Sequence, residues 1–305
     1  MRIIVNGQQA FGKSVLEALL DRGEEVVGVY CAPDKEGKPV DPIKEAALER
    51  GLPVFQPASF KDQQVWEEMR SLKPDLCVMA YVIIFVPQEG LDIPTHGTIQ
   101  YHPSLLPAHR GPSSINWPII QGKSKTGLTI FWPDEGLDEG PILLQKEVDI
   151  GPDETLGDVY FKKLMPLGIE AMVEAVDLVR EGKAPKVPQD DSQATYESWC
   201  RRKDAEIDWN QPAQQVYNLI RGCNPQPGAW TTHNGKMLQI FDSRMSSGSA
   251  QGKPGEIVAV EGDKITVAAK DGQIDVKRVR PEGGGKVPAP EFASEAGLKV
   301  GDRLG

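Results

Sequence analysis

The chain predicts an α/β fold with a mostly parallel sheet, followed by a smaller β-barrel. Three observations predict it. Through the first half, short β-rich runs alternate with helical patterns, the order that places helices on the faces of a parallel sheet. After Ala205 the pattern changes to short strands separated by Gly and Pro turns, with Gly283-Gly284-Gly285 among them, as in a small barrel or sandwich. The 305 residues also divide into about two folding units at the usual domain size.

Residues 2–6 form the first strand, and the turn Gly7-Gln8-Gln9-Ala10-Phe11-Gly12 feeds a helix that runs to about Asp21. Its two glycines permit a tight strand-to-helix crossing. Residues 26–30 form the second strand. The glycines lack GxGxxG spacing and no acidic residue closes the second strand as a ribose clamp, so NAD is not expected. Residues 33–39 make a polar loop of the kind that lies over an open site. Asp41 caps a helix with Pro42 at its first position, and Gly51 ends it. Residues 76–81, running on into 82–86, are nearly all apolar, as expected of a strand buried on both faces plus its exit loop. Residues 98–101 deliver His102, Asn116-Trp117 opens a short helix-like segment, and residues 126–132 lead to Asp138. Residues 142–148 return as a strand. A helical pattern covers 155–181, where Pro166 must break or kink it. Residues 182–191, with Pro185 and Pro188, read as a linker. The expected domains are 1–182, a linker over 183–205, and a β-barrel over 206–305.

Hydrophobic residues make up 39% of the chain and charged residues 26%, so both units have enough apolar material for a core. No apolar run approaches the roughly 18 residues that span a bilayer. Residues 1–7 read as a strand rather than a signal peptide, and a cytoplasmic protein is expected. The net charge is −10, whereas residues 206–305 carry 12 Lys and Arg against 12 Asp and Glu, so the whole excess lies in the first two thirds. Only Lys277-Arg278-Val279-Arg280 is a local basic cluster, which disfavours a nucleic-acid partner. The cysteines Cys31, Cys77, Cys200 and Cys223 are scattered, without CxxC spacing, and are read as small buried residues. There is no HExxH, Walker A or GxSxG motif, so metal, ATP and a serine nucleophile are not implied. No heptad or exposed apolar stripe announces an oligomeric interface.

The chemistry concentrates on His102 and Asp138. Both follow the carboxyl ends of strands, the edge where ligands bind in open α/β sheets, so their loops should converge on one crevice. Histidine exchanges a proton near neutral pH, and an aspartate within reach can orient it or take a proton itself. The pair suits acyl transfer, in which a nucleophile sheds a proton and an oxyanion needs a donor. Gln100, two residues before His102 on an extended segment, should face the same side and offer its amide to that oxyanion. Arg110 reads either as a solvated loop residue beside His109 or as a contact for an anionic part of a ligand.

The motif His102-Pro103-Ser104-Leu105-Leu106-Pro107 with Arg110-Gly111, then Asp134-Glu135-Gly136-Leu137-Asp138-Glu139-Gly140, resembles the signature of the folate-dependent formyltransferases. That family includes methionyl-tRNA formyltransferase, sugar-amine formyltransferases and the hydrolase domain of 10-formyltetrahydrofolate dehydrogenase. The chain looks most like the last, through Ile115-Asn116-Trp117, Phe131-Trp132, Ile207-Asp208-Trp209-Asn210 and Pro227-Gly228-Ala229-Trp230. The resemblance implies a Rossmann-like formyltransferase core over 1–182 with a C-terminal OB-like β-barrel, and 10-formyltetrahydrofolate as donor without a metal. His102 would polarise the formyl oxygen, Asp138 would keep the histidine charged and help remove the nucleophile's proton, and Gln100 would be the oxyanion donor. Met79, Ala80, Tyr81, Val82, Ile83 and Phe85 would hold the folate with Asp134 and Gly136, and Ser104 and Arg110 would meet the substrate. One position departs from the pattern: formyltransferases usually carry asparagine where this chain has Gln100. With nothing following Gly305, the full dehydrogenase reaction is not expected.

Three readings are therefore expected. The first is transfer of the formyl group to an acceptor amine, with initiator tRNA disfavoured by charge and a nucleotide-linked amino sugar as the other natural candidate. The second is hydrolysis of the same donor to formate and tetrahydrofolate. The third is a folate-binding protein that has lost catalysis through Gln100.

Overall fold

The computed structural model describes residues 1–248 and 251–305. In chain order the first elements are β1 (Arg2–Gly7), α1 (Gln9–Asp21), β2 (Glu25–Tyr30), α2 (Pro42–Glu49), β3 (Val54–Phe55), α3 (Gln63–Ser71), β4 (Leu76–Ala80), α4 (Gln88–Leu91) and β5 (Thr98–His102). Then come α5 (Asn116–Ile120), β6 (Lys125–Phe131), β7 (Ile142–Asp149), α6 (Leu156–Val159), α7 (Met165–Arg180) and α8 (Ala213–Gly222). The remainder is β8 (Ala229–His233), β9 (Lys236–Ile240), β10 (Ser243–Met245), β11 (Ile257–Glu261), β12 (Lys264–Ala268), β13 (Gln273–Val276), β14 (Arg278–Pro281), β15 (Val287–Pro288) and α9 (Ala289–Ala296).

By compactness the chain forms two units. The first comprises Met1–Gly111, Gly127–Val148 and Lys163–Tyr196, and the second Pro112–Thr126, Asp149–Lys162 and Glu197–Gly305. The segment read as a linker is bonded to the first unit: Val187 bridges Ile142, and the Trp132 indole N–H donates to the Pro185 carbonyl.

The first unit is built on a seven-stranded sheet of order β3-β2-β1-β4-β5-β6-β7. The pairs from β3 through β5 are parallel, while β6 runs antiparallel to β5. Strand order reverses between β1 and β4, the topological switch point at whose carboxyl edge such sheets bind ligands. Gly7 ends β1 there because a Cβ would sit 2.5 Å from the Ala80 carbonyl oxygen. The central strands are buried on both faces, which explains their near-continuous apolar runs. Ile4, Cys77 and Met79 pack with Met69 of α3 and Leu91 of α4, so the alternate side chains Ile3, Val5 and Val78 point to the opposite face.

Helix α3 and the helices of the second unit differ from expectation, while the break at Pro166 matches it. Helix α3 is bounded by Asp62, whose carboxylate accepts from the Gln64 N–H, but only Met69 on it is fully buried, so its apolar stripe is faint in the sequence. Pro166 does interrupt the long helical pattern: it lies in the first turn of α7, and the preceding turn, Tyr160–Leu164, is a π-helix. Proline lacks an N–H and its ring crowds the carbonyl four residues back, which a wider turn relieves. The second unit has two four-stranded antiparallel sheets, β10-β13-β12-β11 and β15-β14-β9-β8, but also helices α8 and α9. Ala213, Val216, Tyr217 and Ile220 give α8 a buried face at helical spacing. No helix among the described residues is long and apolar enough to cross a membrane.

Candidate active site

The site lies wholly in the first unit and begins with register. Asn6 of β1, Met79 of β4, Gln100 of β5 and Phe131 of β6 are successive partners across the sheet. Partners in one row share a face, and Gln100 and His102, two residues apart, share it as well. Gln100 is half-buried, and its side chain has no hydrogen-bond partner among the described residues. Its amide is thus free to meet a ligand.

His102 ends β5 and is 6% exposed. Its Nε2 lies 2.9 Å from the backbone carbonyl of His109. A carbonyl only accepts, so Nε2 carries a proton and Nδ1 is the nitrogen left to work. Nδ1 is 3.6 Å from Asp138 Oδ2, beyond a good hydrogen bond but well within charge interaction. Asp138 Oδ2 accepts the Gly111 N–H at 2.8 Å, which fixes the carboxylate, while Oδ1 has no partner among the described residues. The pair read from the sequence is therefore brought together.

The loop after His102 is pinned from below. Thr129 of β6 donates its hydroxyl to the Ser104 carbonyl and accepts from the Leu106 N–H and the Gln145 amide, using the full capacity of a hydroxyl. The Ser104 hydroxyl donates to the Ala108 carbonyl at 2.7 Å, and the residue is fully buried. Its side chain is spent inside the loop and offers nothing to a substrate.

Arg110 differs more sharply from expectation. It is 1% exposed, and its guanidinium donates to Gln189 Oε1 from Nε (3.1 Å) and Nη2 (2.8 Å), to Asp191 from Nη2 (2.7 Å), and to the Tyr196 hydroxyl from Nη1. Four of its five N–H donors are held by the protein. Gln189 in turn donates to the Asp138 and Gly140 carbonyls, so Arg110 braces the loop that carries Asp138. Gln189, Asp191, Tyr196 and Thr129 were not expected at the site. The first three lie in or just beyond a Pro-rich stretch that looks like a tether, and nothing in their local pattern marks them.

The loop from 132 to 141 has its own constraints. Asp134 accepts the Gly136 N–H, an Asx-type turn, so its carboxylate shapes the loop. A Cβ on Gly140 would stand 1.8 Å from the Trp132 carbonyl oxygen. Gly140→Ala must push two backbone segments apart and should destabilise the protein by about 1–3 kcal/mol, read as a lowered thermal midpoint. Tyr81, His109 and Asp138 hold positive φ angles of 65°, 59° and 57°. Such strain costs about 1–3 kcal/mol per residue and clusters where a loop must present a functional group.

The exit of β4 divides by burial. Met79 and Ala80 are buried in the sheet, and Val82 packs against the α3 side of the core. Tyr81, Ile83 and Phe85 are 47%, 55% and 56% exposed, and Tyr81 and Ile83 line the cleft at the ends of β1 and β4 together with Asn6 and Gly7. No cluster of three or more metal-ligating side chains occurs among the described residues.

Residues 1–176 match the formyl transferase family, and residues 200–297 match the formyl transferase C-terminal domain. The chain is 40% identical over 315 residues to human mitochondrial 10-formyltetrahydrofolate dehydrogenase, covering 98% of this chain but 34% of that protein. It thus spans about a third of that relative. It is 36% identical to methionyl-tRNA formyltransferase of Alkaliphilus oremlandii, with both chains fully covered. Among solved structures, HypX from Aquifex aeolicus in complex with tetrahydrofolic acid has the same fold, with a TM-score of 0.72 and 20% identity over 98% of this chain and 48% of that one. With both its halves matched in order, this chain belongs to the formyl transferase family.

Proposed function

We propose that this protein takes the formyl group from 10-formyltetrahydrofolate and passes it to an acceptor amine. The observation that carries the reading is the pairing of His102 Nδ1 with Asp138 at 3.6 Å, on the sheet face that also presents the unpartnered Gln100 amide. The exposed apolar run Tyr81, Ile83 and Phe85 offers the folate ring system a surface. The acceptor nitrogen attacks the formyl carbon. The oxygen becomes an oxyanion, to which protonated His102 Nδ1 and the Gln100 amide donate. Asp138 Oδ1 takes the proton from the attacking nitrogen, the bond to N10 breaks, and the proton ends on N10. A new formamide and tetrahydrofolate leave.

Hydrolysis is a second reading, and Gln100 favours it. It stands where the formyltransferases that the chain resembles usually carry asparagine, and the chain is 40% identical to a protein named as a 10-formyltetrahydrofolate dehydrogenase. Donor carrying a labelled formyl carbon separates the two: label on the acceptor nitrogen supports transfer, and label in formate despite an acceptor supports hydrolysis. Under either reading Gln100→Ala removes one oxyanion donor and should lower kcat by roughly 10²–10³-fold. A change confined to KM would assign Gln100 to binding alone. Gln100→Asn with no gain in a sluggish wild type would count against a binding protein that lost catalysis there.

A further inference from the structure

Cys200 and Cys223 take no part in the chemistry above, yet they sit together. Cys200 lies a few residues past the start of the last segment of the second unit, and Cys223 caps the C-terminal end of α8. Their sulfurs are 3.9 Å apart and share a hydrogen bond, although the residues are 23 positions apart in sequence. Both belong to the apolar core of that unit, where Cys223 is fully buried and Cys200 is 9% exposed. A disulfide needs an S–S distance of about 2.05 Å, so the sulfurs must close further. Both residues lie outside the sheet ladders, at a loop and a helix end.

We propose that Cys200 and Cys223 form a reversible dithiol–disulfide site, oxidised by a hydroperoxide and reduced again by a small thiol. The Cys200 sulfur attacks the outer peroxide oxygen, the O–O bond breaks, and water leaves to give a sulfenic acid on Cys200. The Cys223 sulfur then attacks that sulfur, the S–S bond forms, and a second water leaves. Two thiols and one hydrogen peroxide thus give one disulfide and two waters, with two electrons passing from sulfur to oxygen.

The order of attack follows from the surroundings. Cys200 is the one with access to solvent, and the hydrogen bond it shares with Cys223 holds its thiol below the usual range. The same hydrogen bond, with burial, pushes Cys223 far up, so it keeps its proton until the sulfenic acid forms. Cys31 and Cys77 provide an internal contrast. Burial pushes them up to about 11 and about 12, and neither has a second sulfur as partner.

The test is to treat the full chain with a small excess of hydrogen peroxide and read its intact mass and a non-reducing peptide map. The expected result is a loss of about 2 Da, a Cys200–Cys223 linked peptide, reversal by dithiothreitol, and a thermal midpoint raised on the order of 5 °C. Cys223→Ser should stall at a sulfenic acid on Cys200 that dimedone traps. The proposal is overturned if the wild-type chain shows no mass change, if Cys200 passes to sulfinic acid without a link, or if Cys31 and Cys77 react as fast.

Discussion

Asp138→Asn lowers kcat for tetrahydrofolate release by about 10²–10⁴-fold, and His102→Ala does the same, while both variants keep the wild-type thermal midpoint within a few degrees. His102 Nε2 is committed to the His109 carbonyl, so the proton that His102 donates to the oxyanion must sit on Nδ1, the nitrogen that faces Asp138. Asparagine preserves the shape of the carboxylate and the acceptor for the Gly111 N–H, provided its oxygen takes the Oδ2 place. It removes the charge opposite Nδ1 and the base for the attacking amine. Because residues acting as a unit are not additive, the double variant should be little worse than either single one. The check is kcat and tetrahydrofolate affinity measured on the same preparations. A loss that appears wholly as weaker folate binding would show that the pair positions the donor rather than moving protons.

Arg110→Met should lower stability by about 3 kcal/mol and reduce kcat without touching the donor. The guanidinium is 1% exposed, and its removal strands Gln189, whose amide holds the Asp138 and Gly140 carbonyls. Asp191, with its side chain 81% exposed, can turn to water, which keeps the loss below that of breaking a fully buried pair. Arg110→Lys should recover only part of the stability, since one ammonium cannot replace a fork that bonds three partners. Chemical denaturation gives the stability, and an unchanged KM for the donor separates bracing from substrate contact. A large rise in KM with normal stability would return Arg110 to the binding role expected of it from sequence.

The sequence exposes the strands that carry the site because period and burial coincide there. Residues 76–81 read as a doubly buried strand and Leu76–Ala80 form one, with Tyr81 exposed at its exit, and Thr98–His102 delivers its histidine at the carboxyl edge. His102 and Asp138, 36 positions apart, are expected to meet because each follows the carboxyl end of a strand. But β6 runs antiparallel to β5, so its carboxyl end lies at the other edge and the loop is carried back to His102, where the Gly111 N–H and the Gln189 amide hold it. What stayed hidden depends on long-range partners. Arg110 looks like a solvated residue in a polar loop until Gln189, Asp191 and Tyr196 fold back over it. Ser104 looks available until its hydroxyl turns into its own loop. Helix α8 does show apolar residues at helical spacing, but the surrounding Gly and Pro turns suggested strands alone. The contact between Cys200 and Cys223 has no signature at all, because their spacing matches no local motif.

On the proposed reading, His102 and Asp138 drive release of tetrahydrofolate by moving the formyl group to an amine. The most direct measurement is that release from 10-formyltetrahydrofolate, followed with no acceptor, with charged initiator tRNA, and with a panel of amino-sugar nucleotides, for the wild type and His102→Ala in parallel. Slow release without an acceptor is expected, with acceleration by one amine and loss of that acceleration in His102→Ala. Acceleration that survives in His102→Ala, or no release under any condition, would contradict the proposed reading.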